Sequence, residues 1–404
     1  MNTPHNADSA NGAPRLARRI AHCDLDTFFV AVERLRDPSL IGKPVLVGGT
    51  GPRSVVATAS YEARVFGCHS AQPMGQALRL CPQAIVVSPD FNAYRSASHE
   101  FHEVLHDASP LVESAGLDEA YIDLTGVGEG TTAAREAGEA IRAAVKARTG
   151  LAVSIGIAGS KTTAKVTSDR AKPDGLIEVP LGGDAEFLAP LPLRDLPFVG
   201  PKLATVLQAA GVRTIGQVAS LDAAWLRQRF GTAGASLAER ARGIDRNEVR
   251  ALPRVPVSVS REVTFGSDVT DLAELMHVLR SHADRVGGDL RRAGRRARTV
   301  TLKVRWPDFT TVSRSRTASR PVQSTAQLLE IGQAMLDEVF ASEGRHPVRL
   351  IGLGATKLFE DVVQLGFEDA PVQRDEQLDK VVDELRDRFG EGAVQRGRPG
   401  RTRR

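Results

Sequence analysis

The chain has 404 residues, 42% hydrophobic and 25% charged, with a formal net charge of +4. Length predicts two to four domains, and the apolar fraction is too high for a mainly disordered chain. No run of 18 apolar residues occurs, which argues against a membrane helix, and Arg15, Arg18 and Arg19 precede no apolar core of a secretory signal. Three widely spaced cysteines, Cys23, Cys68 and Cys81, fit a reducing cytoplasm and speak against a disulfide scaffold or a structural zinc site.

Residues 1–17 are polar and turn-rich and read as a disordered tail. Ile20 to Leu25 reads as a short strand. Phe28 to Arg36 reads as a helix capped by Asp26 or Thr27. Strands follow at Pro44–Gly49 and Val55–Thr58, a helix at 93–107, a strand at Leu117–Leu124, a helix at 132–148 and a strand at Leu151–Ala158. Near residue 188 prolines cluster. Pro201 then opens a helix with Gly211 past its end, the expected asymmetry. Short helices run to about Asn247. A proline-punctuated linker leads to strand, helix, strand, strand, helix, strand over 257–358, then a charged helix and an arginine tail (Arg396, Arg398, Arg401, Arg403, Arg404). The mixture predicts an α+β multidomain fold.

Asp24 stands at the end of the first strand, directly before a helix, and Asp118 and Glu119 stand together in a later one. Acids in an apolar setting must be paired, hydrogen-bonded or metal-bound. Three carboxylates from two strands suit one or two Mg²⁺ ions, and two such ions can clamp the attacking and leaving oxygens of a phosphoryl transfer. The first free N–H groups of the following helix, at Phe28 and Phe29, form an anion site beside them. An isolated Asp-Glu pair is more often a solvated charge. Side chains of successive strand residues point apart, so Asp118 and Glu119 share a metal only if the backbone turns there.

Five blocks in order carry a resemblance. They are His22-Cys23-Asp24-Leu25-Asp26-Thr27-Phe28-Phe29, Ser60-Tyr61-Glu62-Ala63-Arg64, Leu117-Asp118-Glu119-Ala120-Tyr121, Ala171-Lys172-Pro173-Asp174-Gly175 and Lys303-Val304-Arg305-Trp306-Pro307-Asp308-Phe309. Across residues 18–367 the chain resembles the Y-family DNA polymerases, in the bacterial DNA polymerase IV (DinB) branch. The resemblance implies a right-hand polymerase with palm (18–36 and 91–187), fingers (37–90), a helix-hairpin-helix thumb (188–247), a linker (248–256), an α/β little finger (257–358) and a tail (359–404). It implies a low-fidelity, template-directed enzyme of translesion synthesis in the cytoplasm, acting as a monomer on primer-template DNA and dNTPs with two Mg²⁺ ions. A catalytically silent DNA-binding protein on the same scaffold is the alternative.

The resemblance also assigns roles. Asp24, Asp118, Glu119 and the Leu25 carbonyl would hold Mg²⁺. Phe29, beside Phe28, would be the steric gate that rejects a 2′-hydroxyl. Tyr61, Arg64 and Lys172 would orient the triphosphate. Val199, Gly200 and Lys202 would grip the DNA backbone as a hairpin, although Phe198 replaces its first glycine. His69 and Gln72 depart from the usual residues of the fingers. Gln364, Leu365 and Phe367 look like a shortened sliding-clamp peptide. His99, His102 and His106 fall at helical spacing without an implied role. Between Arg280 and Arg320, twelve Lys and Arg stand against three Asp. This stretch, including Arg291, Arg292, Arg295, Arg296, Arg298, Lys303, Arg305, Arg314 and Arg316, is expected to lie along the duplex and make affinity salt-dependent.

Overall fold

The computed structural model describes residues 17–128, 132–252, 255–360, 370–390 and 392–394. The expected N-terminal tail up to residue 16, the candidate clamp peptide (Gln364, Leu365, Phe367) and the arginines from Arg396 onward lie outside the described residues. Two compact units divide at residues 253/254, with Gly51–Arg53 grouping with the second.

The first unit runs β1 (Ile20–Leu25), α1 (Phe28–Arg36), β2 (Val45–Gly48), β3 (Val56–Ala59), α2 (Tyr61–Arg64), α3 (Met74–Leu80), β4 (Ile85–Val87), α4 (Phe91–Ala108), β5 (Val112–Ser114), β6 (Glu119–Asp123), α5 (Ala133–Thr149), β7 (Val153–Ala158), α6 (Lys161–Ala171), β8 (Leu176–Glu178), α7 (Asp184–Leu188), α8 (Pro201–Ala209), α9 (Ile215–Ala219) and α10 (Ala223–Ala241). Its main sheet has the order β5-β6-β1-β7-β8, so β1 is central and all six of its residues are buried. Alternation sends Ala21, Cys23 and Leu25 into a core with Tyr94 and Phe101 of α4 and Ile141 and Val145 of α5. His22 and Asp24 therefore face the other way, toward α6, where the His22 ring meets Ser168. The strands β3-β2-β4 form a separate small sheet over Met74, Cys68 and Cys81. Helices α7 to α10 close around Leu188, Leu207, Ile215 and Leu237.

Most expected elements are present, and the differences have physical causes. The strand expected from Leu117 begins at Glu119, because residues 116–118 bend. Thr27 occupies the cap of α1 in a left-handed conformation (φ 44°) without a capping hydrogen bond. The Asp26 carboxylate is spent on Ser154 (2.9 Å) and on the Asp174 N–H (2.6 Å), so neither residue caps as expected. Helix α6 gives no apolar periodicity at all. Its buried face is largely hydroxyls and small residues (Thr162, Thr163, Thr167, Ser168, Ala164), and Ser160 caps it at the Thr163 N–H.

The second unit runs β9 (Ser258–Val269), α11 (Leu272–Arg292), β10 (Arg295–Arg305), β11 (Thr311–Val322), α12 (Thr325–Glu343), β12 (Val348–Glu360) and α13 (Ala370–Phe389). Its antiparallel sheet has the order β11-β10-β12-β9, and one face packs Val300, Leu302, Val304, Ile351 and Leu353 against α11 and α12. The register places Thr317-Thr299-Thr356-Ser258, Ser315-Thr301-Gly354-Ser260 and Ser313-Lys303-Gly352-Glu262 in rows across the other face.

Candidate active site

The β1–β6 pairing sets Asp24 directly opposite Glu119. The Leu25 N–H reaches the Asp118 carbonyl at 2.8 Å, which ties the bend at 116–118 to the end of β1. That bend takes Asp118 out of the strict alternation of a regular strand, although Asp118 is not among the residues that present the closest donor atoms. Among the described residues, His22, Asp24 and Glu119 present donor atoms all within 4.8 Å of one another.

The charges explain how such a cluster survives in the fold. Lys172, just past α6, bonds Asp24 at 2.8 Å and Asp169 at 3.0 Å, while Lys165 of α6 bonds Glu119. Burial pushes the Asp24 carboxyl up to about 6, against the downward pull of Lys172. Burial raises Asp118 as well, with Glu119 beside it adding repulsion. Glu119 is held at about 2 by the His22 ring 3.3 Å away and by the Lys165 ammonium, against the effect of burial. Burial keeps His22 neutral. Lys172 is raised despite burial because it faces Asp24 and Asp169. Around this strand end the four carboxylates of Asp24, Asp118, Glu119 and Asp169 outnumber the two ammoniums of Lys165 and Lys172, a formal net charge of −2. A hard-oxygen donor set of that charge, held by lysines that stand where cations belong, fits a divalent metal.

The nucleotide-contact candidates gather around the same strand end. Phe29 is half-buried and stacks on Tyr94, with ring centroids 4.2 Å apart and planes 14° from parallel. Tyr94 is itself anchored by its hydroxyl to Glu33 at 2.6 Å. The Phe28 side chain belongs to the core, so only its backbone N–H is available to a ligand. The Tyr61 hydroxyl donates to Asp26 at 3.3 Å and is pushed up to about 12 by burial and by that carboxylate. The Arg64 guanidinium lies 5.1 Å from the Tyr61 ring centre and bonds the Ala59 carbonyl.

Elsewhere the structure corrects the expectations. Gln72 is buried and accepts the His69 N–H at 3.3 Å, so it braces its own loop rather than shaping an exposed surface. Val199 turns its side chain into the helical core, Gly200 caps α8 and Lys202 is exposed. Phe198 adopts the left-handed conformation (φ 72°) that its glycine counterpart would take without strain, with Arg240 4.2 Å from its ring centre. His99 pairs with Glu103 and His102 with the Ser98 carbonyl, so the three histidines of α4 do not converge.

The basic stretch is not an open track. Arg291 bonds Asp379 (3.0 Å) and Asp383 (2.6 Å) of α13, and Arg296 bonds Glu376 (2.6 Å), which removes both from the DNA-facing candidates. Arg314 and Arg316 lie on the helix side of β11 and pair with Glu343 and Glu338 of α12. Arg292 pairs with Asp289 at 2.6 Å and Arg295 lies 3.7 Å from Glu360. Arg298 is partly exposed beside a register shift of β10, and on the hydroxyl-rich face Lys303 bonds Glu262 at 2.8 Å and Arg305 bonds the Thr311 hydroxyl at 2.9 Å.

Against known proteins, the model of the impB/mucB/samB family matches residues 23–169, its C-terminal domain residues 256–367, and its HHH motif residues 185–212. DNA polymerase IV of Dehalococcoides mccartyi (strain CBDB1) is 39% identical over 387 residues, 96% of this chain and 98% of the relative. The chain belongs to the impB/mucB/samB family. DNA polymerase IV of Streptomyces coelicolor is 43% identical over 366 residues, 90% of this chain and 76% of that one. A Y-family DNA polymerase chimera of Dbh and Dpo4 shares the fold with a TM-score of 0.76 and 24% identity, covering 85% of this chain and 99% of its own. This impB/mucB/samB member is thus a Y-family polymerase of the DinB branch, an α+β right hand with palm, fingers, thumb and little finger.

Three contributors to the site escape sequence reasoning: His22, Lys165 and Asp26. His22 was legible only as the residue two before Asp24, hence on the same strand face. Lys165 lies on a helix without apolar signal, and only the fold of α6 onto β1 brings it to Glu119.

Proposed function

We infer that the chain is a DNA-directed DNA polymerase, adding dNTPs to a primer 3′-end at low fidelity in translesion synthesis. What supports this reading is the pairing of Asp24 with Glu119 across β1 and β6, with Asp118 next in sequence and an excess of negative charge, in a chain similar to DNA polymerase IV. We propose the palm at 18–36 and 91–187, fingers at 37–90, thumb at 188–247 and little finger at 257–358. No helix among the described residues is long and apolar enough to cross a membrane.

Asp24, Asp118, Glu119 and the Leu25 carbonyl would hold two Mg²⁺ ions. Bound there, the ions would supply Lewis-acid stabilisation to the attacking and leaving oxygens. The chain's own residues do the rest by positioning. Lys172, which bonds Asp24 at 2.8 Å, would bear on a phosphate of the nucleotide, and Arg64 and Tyr61 would flank the same approach. Phe29, held by its stack on Tyr94, presents a rigid edge where a sugar 2′-hydroxyl would fall. Lys202 and the α8 N-terminus, with Lys303 and Arg305, are proposed to bear on the DNA backbone.

Primer extension with Mg²⁺ tests the reading. Asp118→Ala or Glu119→Ala is expected to lower the rate by roughly a thousandfold or more, with primer-template binding retained. Extension at the native rate by either variant sinks it. Phe29→Ala is expected to raise ribonucleotide incorporation by at least tenfold, about 1.4 kcal/mol of lost discrimination. A loss of stability without altered sugar selection would return Phe29 to the core.

A further inference from the structure

His22 has more in common with a ligand than with a core residue. Its ring is completely buried, and Nε2 makes no hydrogen bond although it points at Glu119 Oε2, 3.3 Å away. On the other side of the ring, Nδ1 lies 2.7 Å from Ser168 Oγ. The Ser168 hydroxyl donates to the Lys165 carbonyl at 2.8 Å, so its oxygen is left to accept the Nδ1 proton. That arrangement holds the tautomer in which Nε2 carries a lone pair. A histidine bound to a metal typically has this form, with its other N–H donated to a neighbour.

We propose that His22 Nε2, Asp24 and Glu119 form a binding site for Zn²⁺, distinct in ligand set and in preferred cation from the all-oxygen Mg²⁺ positions of the polymerase reading on which it rests. Three features of the geometry select this cation. Imidazole nitrogen suits Zn²⁺ and is foreign to Mg²⁺. Tetrahedral ligands at Zn–N and Zn–O distances of about 2.0–2.1 Å lie roughly 3.3–3.4 Å apart, which matches the 3.3 Å between Nε2 and Oε2. Three protein ligands with a fourth place for water is a familiar zinc arrangement. The two ligand carboxylates, Asp24 and Glu119, together balance one dication, and the ammoniums that now occupy them, Lys172 and Lys165, have side chains 23% and 30% exposed. Zn²⁺ there engages Asp24 and Glu119 together and withholds both from Mg²⁺, so it holds the polymerase in an inactive state.

The test uses the full chain without DNA or nucleotide. Titrated with Zn²⁺ in a large excess of Mg²⁺, it is expected to bind one Zn²⁺ that the Mg²⁺ does not displace. The Co²⁺-loaded chain is expected to show the intense visible bands of a four-coordinate ion and ¹⁴N coupling to cobalt by pulsed EPR. Ser168→Ala should weaken Zn²⁺ binding by about tenfold, and His22→Gln should abolish the ¹⁴N coupling and weaken binding further. No Zn²⁺ binding under Mg²⁺, no ¹⁴N coupling, or binding unchanged in His22→Gln each overturns the proposal. If His22→Gln does not fold, the spectra of the native chain decide alone. A chain that extends primers with Mg²⁺ but binds no Zn²⁺ sinks this site only, whereas one that never extends sinks the polymerase reading.

Discussion

The two units handle charge in opposite ways. Around β1, carboxylates exceed cations, and the excess lies beside buried groups whose protonation is visibly disturbed. In the second unit the guanidinium groups of Arg291, Arg296, Arg314 and Arg316 are each matched by a nearby acid. An unbalanced cluster costs stability but attracts a ligand of opposite charge, whereas a balanced one holds helices in place. Arginine count therefore misleads as a guide to DNA contact, and acid count near β1 understates how strongly that site calls for cations.

The largest break in this contrast is expected at Arg291. Asp379 is fully buried, and it also accepts the Thr325 N–H at the start of α12. Arg291→Ala should destabilise the second unit by about 3 kcal/mol through the loss of the guanidinium from the buried Asp379 and from Asp383, read by denaturant unfolding. A change below about 0.5 kcal/mol, typical of a surface substitution, would put Arg291 back among the DNA contacts.

Asp24→Asn tests the other side. Extension should vanish, yet the metal-free protein should be stabilised at pH 8 by about 1 kcal/mol, since the change removes a buried charge. The sign follows from the raised value of about 6. A carboxyl more easily protonated when folded than when unfolded disfavours the folded state at high pH. The native chain recovers that loss gradually as pH falls from about 6 to the ordinary value of 3.8, so the advantage of Asn should disappear only below about pH 4. Thermal melts of both proteins across this range measure it, and a pH-independent difference would mean that Lys172 fully compensates Asp24.

The smallest expected effect sharpens the contrast within the basic stretch. Replacing Lys303 and Arg305 by alanine should reduce the slope of log affinity against log salt by about 2, while the same change at Arg314 and Arg316 should leave it nearly unaltered. Equal effects from both pairs would mean that α12 does not retain its arginines when DNA is present.

The elements with a clear period or punctuation were legible without coordinates. The buried run of β1, the alternation in β10 and β12 and the Pro201–Gly211 asymmetry around α8 each have a local cause. So did the acids, once their motifs were read together. Helix α6 was not legible, because its buried face is hydroxyl rather than apolar, and with it went Lys165 and Ser168.

What residues alone determined, then, is which side chains are chemically capable: three carboxylates, a stacked aromatic, several cations. Pairing was decided only by tertiary structure. Lys172 is 148 residues from Asp24, Lys165 is 46 from Glu119 and Arg291 is 92 from Asp383. No local pattern encodes such distances, and Coulomb energy depends on separation in space and on burial, neither of which composition contains.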